Sequence, residues 1–386
     1  MKRNFKTVRW MVATVPLLTG AVALAEKPMM APKDTQQAQM KAPDAQMQKV
    51  LEAHKSLNPK PPHTVTPEVA RKGPSAKDAV TKVLKEENKP TEPEKLGKVD
   101  DVKIPGAAGD LQARVYTPEG TGPFPVLVYF HGGGFVIADL DVYDATPRAL
   151  AKQANAVVVS VHYRQAPEHP FPAAADDAVA AFRYVRQNAA KYNGDPQRVA
   201  VGGESAGGNL ATVVAMREKK GESAPVFQLL VYPFVSNDLS TPSHVANGQG
   251  NYLVGNPDLA WFWQNYLGAD WKKNKNAEAL PIHATPAQLK GVAPAMVITA
   301  GLDPLKDEGA AYAKKLQAAG VKTELKNYEG VTHEFFGMAA VVDTAKTAQA
   351  DAVAALKRAF EKTPSMGGTG EPMTRPTPKP MPTLMK

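Results

Sequence analysis

Val199-Ala200-Val201-Gly202-Gly203-Glu204-Ser205-Ala206-Gly207-Gly208 (VAVGGESAGG) is the stretch on which the reading of this chain turns. A short apolar strand, Val199–Val201, runs into a serine with glycine two residues before and two residues after it. A helical pattern follows at Leu210–Met216. The two glycines allow a sharp strand-to-helix turn that lifts the Ser205 hydroxyl above the sheet edge, and the helix N-terminus then faces any negative charge that develops there. A bare G-x-S-x-G also fits a glycine-rich turn with a capping serine. The strand before it and the helix after it favour the nucleophile.

Five further apolar runs flank this turn: Val126–Phe130, Ala156–Val161, Phe227–Tyr232, Ala295–Ala300 and Thr323–Tyr328. Continuous runs of this kind suit strands buried on both faces. Helical patterns lie between them. Asp176–Gln187 carries Val179, Phe182 and Val185 on one face, Asp307–Ala319 stops at Gly320, and Ala345–Phe360 is amphipathic. Strands alternating with helices predict a mostly parallel sheet covered on both faces.

The remaining groups needed for nucleophilic catalysis follow strands in the same way. His131-Gly132-Gly133-Gly134-Phe135 comes directly after Val126–Phe130. Consecutive glycines let backbone N–H groups converge on one point, as an oxyanion requires. Gly132 and Gly133 are the predicted donors, with the N–H of Ala206, and His131 is read as a brace for the loop. Asp303 follows Ala295–Ala300, and His333 follows Thr323–Tyr328. Serine, acid, histidine is the chain order this turn type demands. Ser205 is therefore read as nucleophile, His333 as base and Asp303 as orienting acid. Asp307 and Glu308 are rivals to Asp303 but fall within the next helix. The other histidines (His54, His63, His162, His169, His244 and His283) are read as structural or solvated. No H-E-x-x-H pattern occurs, and neither a metal nor a cofactor is expected.

With these residues in place the sequence resembles the bacterial hormone-sensitive-lipase-like esterases, family IV of the α/β-hydrolase superfamily. Four blocks carry the resemblance: His131–Phe135 (HGGGF), Tyr163–Asp177 (YRQAPEHPFPAAADD), Gly203–Gly208 (GESAGG) and Asp303–Gly309 (DPLKDEG). The resemblance implies an α/β-hydrolase fold, with a mostly parallel eight-stranded sheet, helices on both faces and a helical cap. The cap would come from Pro67–Glu87 and from the region around Ser236–Tyr266. Trp261, Phe262, Trp263 and Tyr266 then either line the pocket or fill the core. The resemblance also implies hydrolysis of small to medium acyl esters through an acyl-enzyme. Lactone, amide or carbamate cleavage by the same triad remains an alternative, because motifs report the nucleophile and not the leaving group. A ligand-binding member of the fold is the other alternative. The plant gibberellin receptors resemble this family without the catalytic histidine, which this chain keeps. One departure stands out: His-Gly-Phe is common after the base in the family, and His333-Glu334-Phe335 replaces that glycine with an acid.

The rest of the chain bounds partners and location. All 386 residues lack cysteine, which excludes disulfides and a thiol nucleophile. Lys plus Arg number 46 against 38 Asp plus Glu, a formal charge of +8. Many of the lysines lie in the flanks, and basic residues are not interleaved with stacking aromatics, so no nucleic acid partner is expected. Lys2, Arg3 and Lys6, the apolar stretch Trp10–Ala25 and the small-x-small site Ala23-Leu24-Ala25 read as a signal peptide over 1–25. That predicts a periplasmic or secreted protein, without stable membrane insertion of the mature chain, present as monomer or homodimer. Residues 26–62 read as a flexible linker, 63–363 as the folded domain with its cap, and 364–386 as a disordered tail. Met29, Met30, Met40, Met47 and the methionines after 364 read as scattered residues of these flanks.

Overall fold

The computed structural model describes residues 42–361, apart from Lys220, Glu222, Ser223 and Asn251. The predicted signal peptide, residues 26–41 of the predicted linker and the predicted tail lie outside those residues. Eight strands form one sheet: β1 (Lys98–Pro105), β2 (Asp110–Thr117), β3 (Phe124–Phe130), β4 (Val157–His162), β5 (Gly194–Glu204), β6 (Gln228–Val231), β7 (Ala295–Ala300) and β8 (Thr323–Tyr328). Their order is β1-β2-β4-β3-β5-β6-β7-β8, with β3 to β8 parallel and β2 antiparallel to both of its neighbours. The six runs picked out in the sequence are β3 to β8, although β8 (TELKNY), at the other edge of the sheet, is polar and only part buried. β1 and β2 have no counterpart among those runs. They alternate polar and apolar residues at the sheet edge, where β1 is largely exposed.

Alternation along β3 builds two cores. Val126, Val128 and Phe130 enter one layer with the helices Ala173–Gln187 and Ala206–Arg217. Leu127 and Tyr129 enter the other with the helices Ala145–Ala154 and Asp343–Glu361. Successive side chains of a strand point to opposite faces, so a strand buried on both sides must be apolar throughout. Helices cover both faces of the sheet in this way, and the carboxyl ends of β3, β5, β7 and β8 meet at one edge.

The reading of 26–62 as linker is corrected where it can be seen. Ala45–Ser56 is a helix, capped by Asp44, whose carboxylate accepts the Met47 N–H at 2.7 Å. Met47, Val50 and Ala53 form its buried stripe and pack with Ala79 and Val83 of the helix Ala76–Glu86. The domain thus begins before residue 63, and Met47 is a core residue. Gln, Lys and Glu fill much of the rest of this helix, and so narrow an apolar stripe does not stand out in the sequence. The same end of the chain is pinned to the far end of the sheet: Asp44 N–H donates to the Gly330 carbonyl at 2.8 Å. A Met47→Ala substitution should destabilise the fold by about 2–4 kcal/mol, the usual cost of emptying a buried methionine site. Urea unfolding measures it, and a loss below about 0.5 kcal/mol, the ordinary surface range, would show that the helix is not docked.

Candidate active site

β5 ends at Glu204 and the helix Ala206–Arg217 begins one residue later, which leaves Ser205 alone to make the turn. Its φ of 55° and ψ of −117° lie in a region that side-chain-bearing residues rarely adopt. Surrounding bonds hold it there. Ser205 N–H donates to Val231 at 2.9 Å, and its carbonyl accepts from Asn209 and Phe234, both at 3.1 Å. Glycine is obligatory at the next turn of the helix, because a Cβ on Gly207 would lie 1.9 Å from the Phe130 carbonyl oxygen.

Asp303 and His333 project from the ends of β7 and β8. Leu302 N–H donates to Val331 at 3.0 Å and ties the two loops together. His333 Nδ1 lies 2.7 Å from Asp303 Oδ2, and Nε2 lies 3.0 Å from Ser205 Oγ. A carboxylate only accepts, so Nδ1 carries the proton and Nε2 is free to take that of the serine hydroxyl. Asp303 is fully buried, and its Oδ1 accepts the Leu305 N–H at 2.8 Å. Burial pushes the His333 imidazole down, but Asp303, Glu334 and Glu204 outweigh it and the net shift is upward.

The glycine loop after β3 faces this serine. Gly133 and Gly134 both have positive φ, and both line the cavity that contains Ser205 and His333. Ala206 opens its helix, so its N–H has no carbonyl one turn behind it. His131 is buried between the rings of Tyr163 and His162, with Nδ1 2.7 Å from the Gly132 carbonyl. Burial and the neighbouring His162 push it down to about 3, so it stays neutral and braces the loop.

A roof closes the site. The cavity measures about 1020 Å³. Its outer wall comes from Gln48, Leu51 and His54 of the first helix and from Pro61, Arg71 and Pro74 beyond it. Leu253, Leu259 and Phe262 supply the opposite wall. His63 and Asp258 join the two halves at 2.6 Å. The cap therefore starts upstream of the predicted Pro67–Glu87, on the helix read as linker. Of the four aromatic residues in question, Phe262 lines the cavity, whereas Trp263 and Tyr266 pack with Phe135 in the core.

Comparison with known proteins agrees with this architecture. The pattern of a family described as alpha/beta hydrolase fold matches residues 127–337. The chain belongs to that family. It is of the hormone-sensitive-lipase-like esterase type. Carboxylesterase NlhH of Mycobacterium tuberculosis is 45% identical over 258 residues, which cover 65% of this chain and 79% of NlhH. Carboxylic ester hydrolase LipN of the same organism is 43% identical over 246 residues, 62% of this chain and 65% of LipN. The hyperthermophilic esterase of Pyrobaculum calidifontis superposes with a TM-score of 0.73 at 35% identity, covering 83% of this chain and 99% of that one. The chain is an α/β-hydrolase that acts on carboxylic ester bonds.

Within this hydrolase the rivals to Asp303 have structural tasks. Asp307 accepts the Ser243 N–H at 2.8 Å. Glu308 is buried, accepts the N–H groups of Val235 and Ser236, and pairs with His244 at 3.2 Å. In the block 163–177, Arg164 pairs with Asp177 at 2.8 Å, while Glu168 pairs with Arg71 of the cap. No helix among the described residues is long and apolar enough to cross a membrane.

Two acids stand beside the site, of which the sequence marks only Glu334, as a departure from the family pattern. Glu204, the variable residue of the serine motif, is buried and bonded by the hydroxyls of Tyr129 and Tyr232. Burial, then repulsion from Glu334, raises its carboxyl to about 7. Glu334 accepts from the Tyr143 hydroxyl and is raised by burial, with His333 and Tyr143 pulling the other way. The signal for Glu204 is an acid directly after the apolar and glycine run Val199–Gly203.

These shifts are measurable on the ring itself. By NMR, His333 should titrate above the ordinary value of about 6.5, neutral on the alkaline side and charged on the acid side. Asp303→Asn removes the strongest influence opposing burial, so the titration should move to lower pH. Asp307→Asn should leave it in place; an equal displacement by both would show that the ring does not sense Asp303 individually.

Proposed function

We propose that this hydrolase is an exported serine carboxylesterase for small to medium acyl esters, with Ser205 as nucleophile, His333 as base and Asp303 as the acid that orients it. The observation that carries the reading is the unbroken chain Ser205 Oγ, His333 Nε2, Nδ1, Asp303 Oδ2 at 3.0 and 2.7 Å on the floor of a capped cavity. Ser205 Oγ attacks the ester carbonyl carbon as its proton passes to Nε2. The carbonyl π pair moves to oxygen, where the N–H groups of Gly132, Gly133 and Ala206 meet it. Collapse expels the alcohol, which takes the proton from Nε2, and leaves the acyl group on Ser205. Water repeats the sequence and releases the acid. The mature chain holds no membrane insertion in this reading. Its substrate is a small molecule, and the apolar walls from Leu253, Leu259 and Phe262 suit an acyl chain of modest length.

Ser205→Ala should lower kcat/KM for a 4-nitrophenyl ester by about 10⁴–10⁶-fold with the melting temperature preserved. A fluorophosphonate should label the native protein at Ser205 and spare the variant. Activity above a tenth of the native value would overturn the assignment. Export rests on the basic start, the apolar stretch and the small-residue site before Glu26. Mass spectrometry of the protein recovered outside the cytoplasm should find Glu26 at its N-terminus, and a product retaining Met1–Ala25 would favour an anchor.

A further inference from the structure

Glu334 stands where the turn itself would favour glycine. Its φ is 70°, in the left-handed region that side chains enter only at a cost. The side chain is nonetheless held firmly. Both carboxylate oxygens take the Tyr143 hydroxyl, at 2.6 and 2.7 Å. Tyr143 in turn lies against the oxyanion loop, so close that a Cβ on Gly132 would meet its hydroxyl at 2.1 Å. Glu334 shares the cavity of Ser205 and His333, and its Oε1 lies 3.8 Å from His333 Nε2. That is the nitrogen facing the serine hydroxyl. The separation is too long for a direct hydrogen bond, yet two atoms 3.8 Å apart can both reach one oxygen placed between them at about 2.8 Å from each.

Resting on the triad assigned above, we propose that Glu334, held by Tyr143, is a positioning residue that orients the hydrolytic water during deacylation. The two halves of the reaction differ in what sits beside Nε2. In acylation it is the alcohol oxygen of the ester, whose single proton comes from Nε2 itself, so Glu334 has nothing to accept. In deacylation it is water, which carries two. One proton passes to Nε2 as the oxygen bonds to the acyl carbon. The other stays on that oxygen and points at Glu334 Oε1, which accepts the hydrogen bond without taking the proton. The tetrahedral intermediate then collapses, the bond to Ser205 Oγ breaks, and Oγ recovers the first proton from Nε2. Fixing the second O–H aims the reactive lone pair at the carbonyl carbon. The charged and titratable groups around this spot are Asp303 and Glu204 beside the imidazole, with Tyr129, Tyr143 and Tyr232 against the two glutamates.

Methanol distinguishes this role from a structural one, because its oxygen carries a single proton. The full chain and its Glu334→Gly and Tyr143→Phe variants are mixed with 4-nitrophenyl acetate, with and without methanol. The nitrophenol burst, the steady-state rate and the ratio of methyl acetate to acetate are recorded. Glycine suits the backbone at 334 and offsets part of the loss of the acceptor for the Tyr143 hydroxyl, so that variant should fold, and its melting temperature checks this. Its burst rate should stay within about twofold while water-dependent turnover falls about tenfold or more, the scale of a lost orienting contact. The methanolysis-to-hydrolysis ratio should rise by a similar factor, with Tyr143→Phe intermediate. An unchanged ratio, or burst and turnover falling together, overturns the proposal. Failure of the triad reading looks different: the native chain would then show no acetyl group on Ser205 by mass spectrometry.

Discussion

The contact on which the rest depends is the approach of the helix Ala206–Arg217 to the end of β3. No side chain fits between Gly207 and the carbonyl of Phe130. That one short distance fixes two catalytic parts at once. It presses Ser205 into its left-handed turn at the end of β5, and it sets the starting point of the glycine loop, since His131 follows Phe130 directly. Attacking oxygen and oxyanion donors are thereby referenced to the same pair of parallel strands. Parallel pairing of β3 with β5, from Val126 opposite Val199 to Phe130 opposite Gly203, supplies the rigidity.

The charge arrangement around His333 follows from this compactness. Asp303, Glu204 and Glu334 all press on one imidazole, and each raises its proton affinity against the effect of burial. Only Asp303 bonds to the ring at short range. Glu204 is occupied by two tyrosine hydroxyls and Glu334 by a third, so tyrosine rather than lysine or arginine satisfies the acids nearest the nucleophile. Neutral donors stabilise the carboxylates without adding a cation, which would repel the imidazolium formed during turnover.

How much can be read from the chain differs by element for physical reasons. β3 to β7 are legible because burial on both faces leaves apolar runs, and Asp303 because it follows one; β8, at the other edge, is only part buried, and His333 is found through the chain order of the triad instead. β1 is the edge strand and largely exposed, and β2 beside it alternates buried and exposed residues, so neither leaves a continuous apolar run. The helix Ala45–Ser56 escapes notice because three residues, Met47, Val50 and Ala53, carry its whole buried stripe. Glu334 is visible as a departure from the family pattern, but its link to Tyr143 joins residues 191 positions apart and only the fold reveals it. The sequence places the roof too late in the chain for the same reason: its helix owes its position to the helix Ala76–Glu86, the loop after β8 and the start of the last helix.

That helix has a consequence for how the molecule is made. Asp44 bonds to Gly330, three residues before the base, and Gln46 bonds to Asp343, 297 residues away. Closing so long a loop adds little to the equilibrium cost, which grows only with the logarithm of length. Its effect falls on sequence in time. During synthesis the segment that will roof the site emerges first, yet its docking surface is among the last to appear. Until β8 and the His333 loop exist, Met47 and Val50 have no complete place to go. A ribosome-bound or C-terminally truncated chain can build the nucleophile turn and still lack both the base and the roof, so the hydrolase becomes complete only as a finished polypeptide.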